Sequence, residues 1–211
     1  MSPNKQAVKW YPRLFTGDMV RALLDGRKTA TRWPLRKQPV EDVSHRAGKW
    51  VWEDVAGNVF RAPVCPGDVI WARETWAHRE GGPVYDDVGH VIDSFESETI
   101  YRASRQKNKG PWKPNIHMPR RYARIFLRVN DIKLIRVQNT SEAEAESEGV
   151  VPEFEMDVAD FARGKRTEIT YYLGFKHIWQ RLYDGGLHAW KANPYVWRAT
   201  FHRISKAEAE A

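Results

Sequence analysis

Cysteine is almost absent from this chain, since Cys65 is the only one among 211 residues. A single cysteine excludes an intramolecular disulfide, so the fold must be held by packing and hydrogen bonds. The seven histidines are dispersed, and no pair of cysteines or histidines has the spacing of a zinc site. The sequence therefore predicts neither a structural metal nor a cofactor.

Long hydrophobic runs are also missing. The first ten residues contain no apolar stretch of the kind that a signal peptide needs, and no later segment approaches the length that spans a bilayer. These absences favour a cytoplasmic protein with no membrane partner. They give no indication of the oligomeric state.

Positive charge and tryptophan are in excess. Lys and Arg outnumber Asp and Glu by 34 to 27, a formal net charge of +7, which favours a polyanionic partner such as RNA. The ten tryptophans provide flat surfaces that either stack on nucleobases or fill a core. The length suits one domain over residues 1–211, with an insertion at 77–118 and a polar tail at 205–211 that is predicted to fray.

The most informative segment covers residues 23–33. Apolar residues leading into it recur with helical spacing, and Gly26 ends the helix because glycine readily adopts a left-handed conformation. A strand then begins at Lys28, so this ammonium and the hydroxyls of Thr29 and Thr31 lie where side chains commonly line a pocket mouth. The alternative is purely structural, because a lysine after a helix complements the helix dipole and threonine is an ordinary strand residue.

Alternating apolar residues predict most of a β-sheet. Strands are expected at 69–76, 122–129, 132–137 and 195–204, and a hairpin at 49–55 and 58–64. The strand at 69–76 places Trp71 and Arg73 on one face and Glu74 on the other, which indicates either a polar cavity or an exposed sheet edge. A loop at 34–48 carries cations that either contact phosphate or are solvated. These are Arg36, Lys37, His45 and Arg46.

Three helices are predicted in the second half of the chain. An acidic one at 141–149 begins with a capping box, in which Ser141 accepts a backbone hydrogen bond and Glu144 reaches back, and it ends at Glu148. For any one of its glutamates the alternative is a solvated helix face. A short helix is expected at 152–163 and a longer one at 167–183. The residues of the longer helix expected to face inward are Ile169, Tyr172, Phe175, Trp179 and Leu182.

The order of these motifs resembles the ASCH family, whose fold is a small β-barrel related to the PUA domains that bind RNA. Residues 24–32 resemble its helix-glycine-lysine-threonine segment, residues 66–69 its Gly-Asp strand entry, residues 141–149 its acidic helix and residues 195–204 its last strand. Residues 67–76, 116–119 and 193–197 are similar to those of larger, uncharacterised proteins carried by phages and prophages. The resemblance covers nearly the whole chain and implies an α+β fold, a PUA-like small β-barrel flanked by helices, with insertions.

The resemblance also implies a chemistry. Characterised small ASCH proteins include amidohydrolases that remove the acetyl group from N(4)-acetylcytidine with a lysine, a threonine and a glutamate, and these roles fall on Lys28, Thr31 and Glu148. Amide hydrolysis needs a nucleophile or activated water, a base and an acid for the leaving amine. Thr31 would attack or position water, Lys28 would accept the proton and Glu148 would pass it to the cytosine nitrogen. A protonated Lys28 would instead stabilise an oxyanion or hold a phosphate.

An amidohydrolase acting on a modified nucleoside is thus the leading hypothesis. The alternatives are a non-catalytic RNA-binding PUA-like module and a phage-encoded interaction protein. Residues 112–121, in which aromatic and cationic side chains alternate with prolines, either form a nucleic-acid surface or cap the barrel. The residues expected to bind nucleoside or RNA are Arg27, Thr29, Arg32, Trp71, Arg73, Glu74, Trp112, His117 and Arg121.

Overall fold

A five-stranded sheet forms the centre of the molecule in the computed structural model, which describes residues 8–46, 50–105, 111–153 and 169–211. The strands are β1 (Trp10–Leu14), β2 (Ala30–Pro34), β3 (Val43–His45), β4 (Val51–Asp54), β5 (Val59–Arg61), β6 (Val69–Arg73), β7 (Trp76–Arg79), β8 (Gly82–Tyr85), β9 (Val91–Phe95), β10 (Glu98–Tyr101), β11 (Phe126–Arg136) and β12 (Tyr195–Ile204). The helices are α1 (Gly17–Leu24), α2 (Glu142–Ser147), α3 (Tyr171–Leu182) and α4 (Lys206–Glu210).

The central sheet has the order β1-β6-β11-β12-β2, with β1 parallel to β6 and its other pairs antiparallel. Its middle strand, β11, contains a bulge between Val129 and Asp131. Leu127 and Val129 are buried before the bulge, and Ile132 and Leu134 after it. Because a bulge adds one residue, the alternation changes phase there. For this reason the sequence pattern indicates two strands where the chain forms one.

The two edge strands of this sheet, β1 and β2, are not hydrogen-bonded to each other, so the described residues form no closed barrel. They nevertheless approach closely, because the guanidinium of Arg13 on β1 lies 4.7 Å from the ring centroid of Trp33 on β2. The α+β class predicted from the sequence is confirmed. The predicted hairpin of β4 and β5 is also present, within a three-stranded sheet that includes β3.

Helices α1 and α3 pack in two different hydrophobic clusters, and the site lies in the region between the two helices. Val20 and Leu23 of α1 pack in one cluster with Ile70 and Phe201 of the central sheet. A separate cluster beneath α3 includes the buried residues Phe175, Trp179, Trp190 and Val196. Residues of α1 and residues of α3 therefore line the space between the two helices.

The segment predicted as an insertion, 77–118, contains more regular structure than the sequence indicated. Strand β6 ends at Arg73, and a new strand, β7, pairs with β10, while β8 and β9 form a second hairpin. The break at 74–75 is stabilised by tertiary hydrogen bonds, since the Glu74 amide donates to Met118 Sδ at 3.3 Å and the Thr75 carbonyl accepts from the Arg102 amide at 3.0 Å. A single strand over 69–76 was therefore a wrong prediction.

The helices differ from the sequence-based expectations in two further ways. The tail expected to fray contains α4, whose capping box joins Ser205 and Glu208 and whose Ala209 is buried. Ile169 and Leu182, expected to face inward, are 66% and 50% exposed. The helix predicted at 152–163 falls largely outside the described residues.

Candidate functional site

Lys28 is held at the junction between α1 and β2. Thr16 caps the start of α1 by accepting a hydrogen bond from the Met19 amide. After the helix, Gly26 adopts a φ of +77° that favours glycine, and the chain turns back so that the Lys28 amide donates to the Ala22 carbonyl at 3.0 Å. The turn predicted from the sequence thus places the lysine against the body of its own helix.

Glu148 is the C-terminal cap of α2, and it forms an antiparallel β-bridge with Lys28. The next residue, Gly149, has a φ of +72°, and a Cβ at this position would lie 2.7 Å from Ala22 Cβ and 2.8 Å from Lys28 Cβ. Only glycine lets the two segments approach this closely. A further hydrogen bond, from the Thr29 amide to the Ser147 carbonyl at 2.8 Å, fixes the register between them.

The side chains of Lys28 and Glu148 form a buried ion pair. Lys28 Nζ lies 2.7 Å from Glu148 Oε2 and also donates to the Glu148 carbonyl at 3.0 Å. The second carboxylate oxygen, Oε1, accepts a hydrogen bond from Arg32 at 2.8 Å. The side chains of Lys28, Arg32 and Glu148 are 0%, 1% and 6% exposed. Such charges tolerate burial only when they are paired and hydrogen-bonded, as they are here.

The pair belongs to a larger network. Arg32 also donates to Glu144 Oε2 at 3.0 Å, and Arg198 of β12 lies 3.2 Å from Glu144 Oε1. The predicted capping box at the start of α2 is thus only half formed, because Glu144 pairs with two arginines instead of reaching back to Ser141. Three cations face two carboxylates, which leaves one surplus formal positive charge in the network.

A cavity of about 250 Å³ opens beside these charges. Lys28, Thr31, Arg32 and Glu148 line it together with one apolar face of α3. The residues of that face have the i, i+3, i+4 spacing of a helix stripe and are Phe175, Ile178, Trp179, Leu182 and Tyr183. The cavity therefore has a charged side and an aromatic side, as sites for small planar ligands commonly do.

The aromatic side is held in place from several directions. Arg32 lies 5.2 Å from the ring centroid of Phe175, and Trp179 Nε1 donates to the His188 carbonyl at 2.9 Å. Burial raises the pKa of the Tyr183 phenol above its ordinary value of 10.0, so this hydroxyl is uncharged at neutral pH. The surface offered to a ligand is therefore fixed and neutral.

Helix α3 is attached to α2 at its own N-terminus. The Glu142 carboxylate of α2 accepts hydrogen bonds from the amides of Tyr171 and Tyr172 at 2.9 and 3.1 Å. These amides have no partner within the helix, and a negative charge there is also favoured by the helix dipole. Gly174 allows close contact with the chain after α2, since a Cβ there would lie 2.1 Å from the Val151 carbonyl oxygen.

The structure therefore brings together all three residues predicted to be catalytic. Lys28 and Glu148 are in direct contact, and Thr31 lines the same cavity and is 9% exposed. Arg32, predicted to bind substrate, also lines this cavity.

Two other predicted binding residues lie on the opposite side of the same turn. Arg27 and Thr29 are exposed and line a separate depression beside α2 and the start of α3. Arg27 donates to the Gly149 carbonyl at 3.1 Å and to Asp25 at 3.2 Å, so it fastens the turn. Neither residue is among those that line the Lys28–Glu148 cavity in the described part of the chain.

The residues predicted from β6 are also elsewhere. Trp71 is 6% exposed and packs in a third hydrophobic cluster, with the Arg73 guanidinium 4.8 Å from its ring centroid. Glu74 is buried and forms a bidentate pair with Arg124, both distances being 2.8 Å. Either a polar cavity or an exposed sheet edge was expected beside these side chains. In the described structure they do not line the cavity that holds Lys28, but Glu74 borders a separate polar depression with Thr75 and Arg102.

The segment at 112–121 lies away from the cavity as well. Trp112 is half-buried, His117 is exposed at the end of a short 3-10 helix, and the Arg121 guanidinium lies 4.8 Å from the ring centroid of Tyr122. Nucleic-acid binding by this segment stays a prediction.

Sequence reasoning did not assign Glu144 and Arg198 to the site, and it treated Phe175 and Trp179 as core. The helical periodicity of α3 identified its buried face, but a pattern of apolar residues cannot distinguish a cavity wall from a packed interior. Arg198 carries no local signal, because it is one of two arginines on an alternating strand.

Chemically, the cavity offers a proton donor and acceptor in direct contact, a hydroxyl, and surplus positive charge. Among the described residues no group of three or more His, Cys, Asp or Glu side chains could hold a metal ion. No helix in the described ranges is long and apolar enough to cross a bilayer. Comparison with known proteins gives no match to a family model, to a curated protein or to a solved structure.

Proposed function

We propose that this chain is a member of the ASCH family with a PUA-like partial barrel, and that it hydrolyses the N(4)-acyl amide of nucleosides such as N(4)-acetylcytidine. The observation that carries the proposal is the 2.7 Å contact between Lys28 Nζ and Glu148 Oε2 in a cavity that Thr31 also lines. An acid–base pair beside a hydroxyl is what amide hydrolysis requires.

The first step is a proton transfer within the ion pair. Moving one proton from Lys28 Nζ to Glu148 Oε2 gives a neutral amine and a neutral carboxylic acid, which are the base and the acid that the reaction needs. Arg32 still donates to Glu148 Oε1, so the carboxyl group keeps its orientation.

Amide cleavage then follows with all atoms accounted for. Thr31 Oγ1, or a water held by it, forms a bond to the acyl carbon while Lys28 Nζ accepts its proton. Glu148 donates its proton to the N4 nitrogen, the carbon–nitrogen bond breaks, and cytidine leaves. If Thr31 is the nucleophile, water hydrolyses the resulting ester, and both routes release a carboxylate. The surplus positive charge of the network stabilises the oxyanion and the carboxylate.

The aromatic side of the cavity suits the rest of the substrate. A pyrimidine is flat and has apolar faces, so it suits the side lined by Phe175 and Trp179, with its exocyclic amide toward the charged side. The orientation of the bound substrate thus follows from the difference between the aromatic side and the charged side of the cavity.

The test is to incubate purified protein with N(4)-acetylcytidine and to measure the release of cytidine by chromatography. Lys28→Ala and Glu148→Gln are each expected to lower kcat by roughly 10²–10⁴-fold, because each removes a proton-transfer group. Thr31→Ala is expected to lower kcat on either route, and an acyl-enzyme detected by mass spectrometry on the native protein would distinguish attack by the hydroxyl from water positioning. No release by the native protein, or release unaffected by Lys28→Ala, contradicts the proposal.

Glu74→Gln is the matched control. Glu74 is also a buried carboxylate paired with an arginine, but it lies outside the cavity. Its replacement is expected to lower stability while leaving kcat per folded molecule unchanged, which separates loss of chemistry from loss of folded protein.

A further inference from the structure

A second cavity, of about 430 Å³, opens where the two edge strands of the central sheet approach each other. Arg13 of β1, Trp33 of β2, Arg61 of β5 and Trp197 of β12 line it, and we call it the seam pocket. It shares no lining residue with the Lys28–Glu148 cavity. Its volume lies in the range of small-molecule sites.

The seam pocket is lined by four cations and by no carboxylate. The cations are Arg13, Arg36, Lys37 and Arg61. Lys37 Nζ donates to the neutral Asn58 side chain at 2.9 Å, and none of the four has an ion pair with any residue in the described part of the chain. Other surface arginines, such as Arg27 and Arg46, are paired with Asp25 and Glu53. The four cations of the seam pocket thus differ from these paired arginines.

Arg13 is the most constrained of these cations. It is half-buried, its guanidinium stacks on Trp33, and its Nε is buried without a hydrogen-bond partner. Burial lowers the pKa of Arg13 below its ordinary value, which reflects the cost of removing this charge from water. A bound anion would supply the missing counter-charge.

The remaining surface of the pocket is apolar and aromatic. Trp33 is half-buried and lies opposite Trp197 in the β2–β12 register, and the side chains of Phe60 and Pro63 complete the lining. A ligand that fits both parts carries a negative charge next to a flat ring. We propose that the seam pocket binds the phosphate of a nucleotide, with the phosphate against the four cations and the base against the aromatic side chains.

Calorimetric titration with adenosine 5′-monophosphate, adenosine and an adenosine RNA hexamer tests this site in the full chain. The nucleotide is expected to bind more tightly than the nucleoside, and less tightly as salt is added. Arg61→Gln, at an exposed position, is expected to weaken nucleotide binding about tenfold, because a charge-assisted hydrogen bond is lost. Arg13→Gln is expected to do the same if the variant folds.

The hexamer distinguishes the two sources of the phosphate. Tighter binding of the hexamer, with the same sensitivity to Arg61→Gln, assigns the site to a phosphate within a strand, and tighter binding of the mononucleotide assigns it to the free ligand. Arg46→Gln removes the same charge outside the pocket and serves as the matched control. The proposal is overturned if Arg61→Gln has no effect on either ligand, or if Arg46→Gln weakens binding equally.

Discussion

Two groups of cations border cavities in this protein, and they differ in what neutralises them. Lys28, Arg32 and Arg198 are paired with the carboxylates of Glu144 and Glu148. The four cations of the seam pocket have no carboxylate partner among the described residues. Lys28 and Arg32 are buried and Arg198 is half-buried, whereas the cations of the second group, Arg13 apart, are exposed at the surface.

Cations paired with carboxylates and cations without carboxylate partners are suited to different roles. A buried cation with a fixed partner orients a neighbouring group, and salt affects it little. An exposed cation without a partner attracts anions from solution, and salt screens it strongly. Arg32 and Arg61 are both arginines, but we expect added salt to weaken the interactions of Arg61 strongly and those of Arg32 little.

The largest expected effect comes from breaking the buried network. Glu148→Gln leaves Lys28 and Arg32 buried without their counter-charge, and we expect it to lower the free energy of unfolding by about 3–5 kcal/mol. Asp25→Asn breaks the exposed pair with Arg27 and is expected to cost at most about 1 kcal/mol. Urea unfolding followed by circular dichroism measures both. Equal losses in the two variants would mean that burial does not distinguish these pairs.

The second prediction concerns the contact that brings Lys28 and Glu148 together. Gly149→Ala introduces a Cβ into positive φ, at a cost of about 1–2 kcal/mol, and forces it against Ala22 and Lys28, which adds about 1–3 kcal/mol. Gly26→Ala has nearly the same φ but nothing within 4 Å of the new Cβ. We therefore expect thermal unfolding to show a smaller loss for Gly26→Ala. A larger loss at Gly26 would contradict the close-approach argument.

A carboxylate held by neutral donors provides a third case. Burial acts to raise the pKa of Asp54, but hydrogen bonds from the Asn58 side chain and from the amides of Asn58, Val40 and Ala56 outweigh it, so the pKa lies below the ordinary 3.8. A depressed folded-state pKa stabilises the fold above pH 3.8, and this contribution is lost as the pH falls through the folded value.

Asp54→Asn is accordingly expected to be less stable than the native protein at pH 7, with the difference shrinking as the pH falls below about 4. Urea unfolding across this pH range measures the difference. If the difference in stability stayed constant down to pH 2, the geometry of the Asp54 hydrogen bonds, and not the charge of its carboxylate, would determine its contribution.

The smallest effect is expected at the seam pocket. Arg61→Gln removes one of four like charges, so at low salt we expect stability to be unchanged or slightly raised, by no more than about 0.5 kcal/mol. The gain should vanish as salt is added, because screening removes the repulsion. Thermal unfolding at two salt concentrations checks this, and a clear loss of stability would indicate an unrecognised partner for Arg61.

Local patterns in the sequence predicted the elements that carry the site. The end of α1 at Gly26, the strand after Lys28 and the cap of α2 at Ser141 all follow from residue preferences over a few positions. The convergence of Lys28 with Glu148 does not, because 120 residues separate them and neither carries a signal for the other. It was predicted only by resemblance to a family.

The wrong predictions have a common physical origin. Trp71 was expected to bind substrate but packs in a hydrophobic cluster, because alternation identifies the two faces of a strand but not what covers each face. Glu144 was expected to complete a capping box, but it forms ion pairs with Arg32 and Arg198 instead. Ile169 and Leu182 fit a helical stripe, but Ile169 precedes α3 and Leu182 is its last residue, and both are exposed.

The attachment of α3 to α2 links the two walls of the cavity mechanically. Glu142, at the start of α2, accepts hydrogen bonds from the first turn of α3. Glu148 caps the other end of α2. Because both attachments lie on the same six-residue helix, the position of α3 and the position of the Glu148 carboxylate depend on each other.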